Sequence, residues 1–501
     1  EENKKLALEA AQKSIVLLKN ENNILPLSKE INTIAVIGPN ANDEEVLYGN
    51  YNGFPSDPIT PLEGLRRKFP NKNIIFEPGC SIAENIYSFN IIPSSCFFTN
   101  NDKSQNGLLG EYYDNVDFSG EPKFERIDKD IHFNWGDSSP IENSISSQFS
   151  VRWNGYLVPE KSGKYALGAS GLDGFQLTYE DSILVKFQTT HGAHKVYNLV
   201  ELNAGQQYKI KLEFKGSNRY SFIQLLWANA NENLEERAIE AVKKSDVAIL
   251  FLGLSPRLEG EEMDVKVEGF RGGDRLSLDL PKTQENHLIK LHEIGKPIVL
   301  VLLNGSALSI NWADKNIPAI IESWYGGQAA GTAIANVLFG DYNPAGRLPV
   351  TFYKSVEQTP PFIDYSMKER TYRYFTQEPL YPFGFGLSYS SFQYSNPEVI
   401  PTAINENECA ILSINIKNTG KYDGDEVVQL YVKGRGVDNN GAIKTLKGFQ
   451  RVHIKSGEVK NIKFEINKEM LEEFRDGKGF STEPGIYQVM IGSSSRDKDL
   501  K

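Results

Sequence analysis

Apolar positions fall into two textures along this chain, and the switches between them divide it. Over residues 1–100, short unbroken apolar runs alternate with helical periodicities. Leu8, Ala11, Ile15 and Leu18 recur at helical spacing and predict a helix at the N-terminus. Residues 33–39 (TIAVIGP) and 73–79 (NIIFEPG) read as buried strands ending in turns. Apolar runs of this length, separated by helices, predict a parallel sheet covered on both faces.

The texture changes after residues 101–107 (NDKSQNG), which read as a linker. From Leu108 to about Trp227 short strand-like runs follow one another, with turn signals at Asn154-Gly155, Ser162-Gly163, Asp173-Gly174 and Ala204-Gly205. That spacing predicts a β-sandwich or barrel. Helix and strand alternate again from Asn233. A helix (LEERAIEAVKKS) precedes a buried strand at 246–254 (DVAILFLGL). A helix around 282–294, a strand at 297–303 and a helix around 329–338 follow. From about Ser395 the pattern is β once more. Ile411, Ser413 and Asn415 alternate with Leu412, Ile414 and Ile416, the mark of a strand with one buried face.

The economical account is a multidomain α/β plus β chain. An α/β sandwich (1–105 and 231–394) is interrupted by a β-sandwich insert (106–230) and followed by a second β-sandwich (395–501). The length of 501 residues allows about three domains. A net charge of −11 repels phosphate backbones, so nucleic acid is not an expected partner. No apolar run approaches twenty residues, which excludes a membrane-spanning helix. Three cysteines (Cys80, Cys96, Cys409) make no disulfide framework. Neither CxxC nor HExxH spacing occurs, so no zinc site is expected.

Candidate chemistry concentrates in residues 255–275, SPRLEGEEMDVKVEGFRGGDR. Glu259, Glu261, Glu262, Glu268, Asp264 and Asp274 lie there, just past a predicted buried strand. Open α/β sheets bind ligands beyond the carboxyl ends of their strands, and loops of this length are usually functional or disordered. Three readings are open. Charge runs are usually solvated surface. An irregular calcium site needs no EF-hand spacing, which is absent here. A carboxyl crowded by others holds its proton longer and can donate it, as the acid in glycoside hydrolysis does.

Longer segments resemble a known family. Residues 10–27 (AAQKSIVLLKNENNILPL), 337–352 (VLFGDYNPAGRLPVTF), 370–375 (RTYRYF) and 381–392 (YPFGFGLSYSSF) resemble the C-terminal part of family 3 glycoside hydrolases, the β-glucosidase and β-xylosidase family. Residues 418–432 and 444–458 resemble that family's fibronectin type III-like domain. The insert, with GLLGEYY at 107–113 and residues 149–177, resembles a protective-antigen-type β-sandwich. The resemblance implies a retaining, exo-acting β-glycosidase for terminal β-linked glucose or xylose. Its general acid/base falls on Glu261, with Glu259 as rival and Glu262 third. Asp274 and Arg275 are expected to form a structural pair that shapes the loop, and Trp324 and Tyr325 to be core.

No redox cofactor or metal is implied. The nucleophilic aspartate of the family belongs to an N-terminal (β/α)8 barrel, and no Ser-Asp-Trp context for it occurs here. The barrel is therefore expected upstream in a parent protein or on a separate chain, and this chain alone is expected to be inactive. Export to the periplasm or exterior is expected from the substrate class. Two other readings stay open, a non-catalytic carbohydrate-binding or scaffold chain and one subunit of a split enzyme. Asp173 in the insert is the candidate centre for sugar binding.

Overall fold

The computed structural model describes all residues except 51, 54, 85, 88, 137–138, 141–147, 189–193, 217–220, 231–232, 262, 264, 435–440, 476 and 478. The chain forms two compact units. One joins Glu1–Ile86 to Leu234–Lys501, and the other is Tyr87–Asn233.

The first unit is built on a six-stranded sheet whose strands come from both sides of the insert. Its elements are α1 (Glu2–Ser14), β1 (Val16–Asn20), β2 (Thr33–Ile37), α2 (Pro61–Lys68) and β3 (Asn73–Glu77), then α3 (Leu234–Lys243), β4 (Val247–Gly253), α4 (Lys282–His292), β5 (Ile298–Leu303), α5 (Asn311–Asn316), β6 (Ala319–Glu322) and α6 (Ala330–Leu338). The strand order is β1-β6-β5-β4-β2-β3. All neighbours are parallel except β1, which runs antiparallel at the edge beside β6. Every residue of β4, β5 and β6 is buried, because helices cover both faces. Ile34, Val36, Ile249, Phe251, Val301 and Ile321 meet α2 and α6 on one side. Ala35, Ile37, Leu250, Leu252, Leu300 and Ile320 meet α3, α4 and α5 on the other. Each such Val, Ile, Leu or Phe side chain contributes roughly 1.5–3 kcal/mol of burial free energy. Thr60 caps α2, accepting the Glu63 N–H at 3.2 Å, and Pro61 follows at the first turn.

A three-strand sheet (Phe392–Ile400, Ala410–Asn418, Val459–Ile466) and another (Thr445–Ile454, Gly424–Gly434, Tyr487–Gly492) form the C-terminal sandwich. Its core is drawn from alternate residues such as Leu412, Ile414, Ile416, Val428 and Leu430. Family-like segments join it to the α/β part. Arg347, in RLPVTF, donates to Glu426 at 2.9 Å with both side chains buried. Tyr394 donates to the same carboxylate at 2.6 Å. Gln429 donates to the Gly384 carbonyl at 2.9 Å, and Tyr372 accepts the Leu446 N–H at 3.0 Å.

The second unit holds two sheets around one core containing Trp153, Tyr112, Phe149 and Phe214. Asp128 is buried inside it. Its carboxylate accepts Tyr112 and Trp153 at 2.6 Å each and pairs with Arg126 at 2.6 Å.

Several local readings differ from the sequence pattern. The N-terminal helix stops at Ser14, and Ile15 is already extended. Val16, Leu17 and Leu18 are all buried. A strand covered on both faces can bury three consecutive side chains; one face of a helix cannot. Asn154-Gly155 is no turn: both lie inside the strand Phe149–Leu157, paired with Lys211 and Ile210. Gly155 is there because a Cβ would meet the Phe98 carbonyl at 2.6 Å. Residues 101–107 link no domains. They close a turn in which the Gly107 N–H reaches Phe97 and the Thr99 N–H reaches Gln105. The strands Asn90–Ile91 and Phe97–Phe98, upstream of this turn, already pair within the insert's sheets.

Candidate active site

The carboxyl ends of β4, β5 and β6 face one region, and the loop after each contributes to it. Ser255-Pro256 turns the chain out of β4, and the Glu259 N–H returns to the Ser255 carbonyl at 3.0 Å. Leu258 is buried beneath it. Arg257 holds Glu45 with two bonds, at 2.7 and 2.6 Å. The start of the acidic loop is thus fixed by backbone, core and a bidentate pair.

Glu259 turns inward. Its Oε1 accepts the Gly305 N–H at 2.5 Å and the Tyr325 hydroxyl at 2.7 Å. Its Oε2 accepts the Ser306 hydroxyl. Asn50 donates to its carbonyl at 3.0 Å. The carboxylate therefore binds the loop after β4 to the loops after β5 and β6.

Arg275 reinforces this from the far end of the loop. Nη1 donates to Ser306 Oγ at 2.9 Å and to the Ala307 carbonyl at 2.6 Å, and Nε donates to the Ser277 carbonyl at 3.1 Å. Burial lowers the pKa of its guanidinium, and the charge of Glu259 opposes that shift. Arg275 shapes the loop, but through Ser306 and carbonyls and not by the expected pairing with Asp274. Among the described residues it makes no ion pair with Asp274, whose place is opposite Arg271 in a two-strand turn.

Glu261 lies between two points where the loop is bonded to itself. The Gly260 N–H reaches the Gly273 carbonyl at 3.2 Å, and the Met263 N–H reaches Gly272 at 2.8 Å. Gly273 has φ +93°, and a Cβ there would stand 2.3 Å from the Gly260 oxygen, so this closure requires glycine. The Glu261 side chain is exposed, in contrast to that of Glu259. Glu262 and Asp264 lie outside the described residues.

Sequence reasoning missed three participants. Tyr325, read as core, is the hydroxyl donor to Glu259. Burial first, then the charge of Glu259, pushes its phenol far up, so it stays a donor. Glu322, the last residue of β6, is fully buried. Its carboxyl accepts the Trp324 N–H at 3.0 Å and Asn304 Nδ2 at 3.0 Å. Burial pushes it up to about 8, with Glu259 adding to the shift. Asn304 also donates to the Ser306 carbonyl at 2.8 Å, so the same amide supports the segment that holds Glu259. Trp324 itself packs edge-on against Phe352 at 6.1 Å, a core contact as expected. The available signal was a lone glutamate closing an otherwise apolar strand, in the run AIIESWY.

The arrangement presents the exposed carboxylate of Glu261 on a main chain anchored at both sides, with Glu268 and Asp274 also exposed further along the loop. It can exchange a proton with a group arriving from outside the sheet. Among the described residues no group of three or more His, Cys, Asp or Glu gathers as metal ligands would.

Comparison with known proteins agrees with the fold. Residues 15–389 match the glycosyl hydrolase family 3 C-terminal domain, and residues 426–495 match a fibronectin type III-like domain. A xylan 1,4-β-xylosidase of Xylanibacter ruminicola is 36% identical over 99% of this chain and 57% of its own length. A β-xylosidase of Formosa agariphila is 30% identical over all of this chain and 50% of its own. The crystal structure of a Kluyveromyces marxianus β-glucosidase in complex with glucose superposes with a TM-score of 0.76 at 27% identity, over all of this chain and 61% of that one. The chain thus spans about half to three-fifths of the length of these three proteins.

Proposed function

Because this chain belongs to glycosyl hydrolase family 3, we propose that it supplies the general acid/base, Glu261, to a retaining, exo-acting β-glycosidase that releases terminal β-linked xylose or glucose. The observation that carries this reading is the contrast within one loop. Glu259 has both oxygens occupied by donors of its own fold, while two residues on Glu261 is exposed on an anchored main chain.

In the first step Glu261 gives its proton to the leaving-group oxygen while a second carboxylate attacks the anomeric carbon, and a glycosyl-enzyme ester forms. In the second step Glu261, now a base, takes a proton from water as it displaces that ester. The attacking aspartate, on this reading, comes from an N-terminal (β/α)8 barrel, in the same parent protein or on a separate chain. On this reading the 501-residue chain turns over no glycoside by itself, since a lone acid forms no covalent intermediate. The name of the Xylanibacter relative favours β-1,4-linked xylose among the substrates. Export follows from a polymeric substrate outside the cell.

The test is Glu261→Gln in a polypeptide that carries the barrel as well. Hydrolysis of poor leaving groups should slow far more than that of activated aryl glycosides. Azide should restore turnover and yield a β-glycosyl azide. Equal loss on both substrate classes, or full activity, removes Glu261 from the role and transfers it to Glu259.

A further inference from the structure

We propose that the insert carries a carbohydrate-binding pocket of its own, sized for one pyranose ring and built around Trp227. The sequence pointed to Asp173 for such a role. Asp173 is only 1% exposed, and its carboxylate accepts the Ser221 hydroxyl at 2.9 Å, so it faces the interior. A cavity of about 170 Å³ opens elsewhere in the same unit. Its floor is aromatic. The Tyr165 and Trp227 rings lie 4.9 Å apart at 34°, Tyr165 buried and Trp227 half-buried. Asn90, Asn229, Glu160 and Lys161 are the polar residues of its lining, and Glu160 and Lys161 are exposed at its rim.

The chemistry of that lining selects a neutral polyol. One acid and one base leave the rim with no net charge, so neither a phosphate nor a cation is preferred. Amides, carboxylate and ammonium supply both acceptors and donors, which sugar hydroxyls need because each hydroxyl does both. An aromatic floor suits the C–H face of a pyranose. Ser95 donates to Glu160 Oε1 at 3.0 Å, which orients the carboxylate. The volume is below the roughly 300–1,000 Å³ of pockets that enclose larger ligands, so the site takes one ring. Cys96, also in the lining, is buried, and that burial raises its thiol pKa. Burial favours its neutral thiol, and the other lining groups suit binding. It holds whatever the fate of the catalytic reading, because it uses no residue of the loop after β4.

The experiment is titration of the 501-residue chain with D-xylose, D-glucose and xylobiose, followed by saturation-transfer NMR and calorimetry. At least one sugar should bind. Trp227→Ala should weaken it at least about tenfold. The exposed rim change Glu160→Gln should weaken it too, with the thermal midpoint unchanged, which separates loss of the site from loss of the fold. Absence of binding by all three sugars overturns the proposal. So does binding that survives both insert variants, or binding abolished by Glu261→Gln.

Discussion

Tyr325 donates its phenolic hydroxyl to Glu259 Oε1 at 2.7 Å across 66 positions of sequence. This one bond ties the end of β6 to the loop that presents Glu261. Tyr325→Phe removes the donor without changing the ring. The bond should be worth about 1 kcal/mol, so amide exchange at Gly260 and Met263 should quicken by about fivefold. Unchanged protection at both amides would mean that the loop is held without Tyr325.

Glu259→Gln and Glu261→Gln should fail differently in the enzyme with its barrel. Loss of a positioned acid typically costs 10²–10⁴-fold, and for Glu261→Gln that loss should fall mainly on poor leaving groups. In Glu259→Gln the amide oxygen can keep the Gly305 and Tyr325 donors, but the amide NH2 then meets the Ser306 hydroxyl, which already accepts from Arg275, and so loosens the loop. Its loss should be similar for all leaving groups and untouched by azide. Steady-state kinetics on a series of aryl glycosides separates the two patterns.

Glu322 makes stability depend on pH. Its folded-state value is pushed to about 8 from an ordinary 4.5. Between these values the unfolded chain has lost the proton and the folded chain keeps it, so stability falls as pH rises from about 4.5 to about 8 and then levels. The size is on the order of a few kcal/mol. Glu322→Gln keeps the amide-sized side chain and carries no proton to lose. Denaturant midpoints measured from pH 5 to pH 9 should fall for the native chain and flatten for the variant. Parallel slopes would assign the dependence to other groups.

Asp128→Ala in the insert strands three donors at once, from Tyr112, Trp153 and Arg126. Two of these are buried groups that lose their acceptor. A destabilisation of about 3 kcal/mol is expected for that unit. Near-UV dichroism of the Trp153 environment should lose its melting cooperativity or shift its midpoint. A shift smaller than that of an ordinary surface substitution would contradict the burial argument.

The strands of the sheet were legible because β4, β5 and β6 are buried on both faces and therefore read as unbroken apolar runs. The interruption by the insert was legible because the two halves each lacked enough strands. β1 was missed because Ile15 and Leu18 satisfy a helical period as well as a strand placed between two layers. Gly155 was read as a turn because nothing local reveals that the Phe98 backbone passes within reach. The acidic loop was located by its position after a strand, and Glu261 was singled out only by resemblance. The roles of Tyr325, Glu322 and Asn304 lay beyond reach, since their partners are fixed by strand order and not by spacing along the chain.

The Arg347–Glu426 pair decides where this molecule can be shortened. Residues 394–395 mark a change of texture and look like a place to cut. A chain ended there would keep a buried guanidinium and lose the carboxylate that answers it, along with Gln429 under Gly384 and Leu446 against Tyr372. Breaking a buried pair by removing one partner costs about 3–5 kcal/mol, a large share of what holds a domain folded. Inactivity or insolubility in such a deletion would report a collapsed α/β layer and say nothing about what the C-terminal sandwich binds. That sandwich is a buttress, and its contribution has to be probed by surface substitution with the chain left whole.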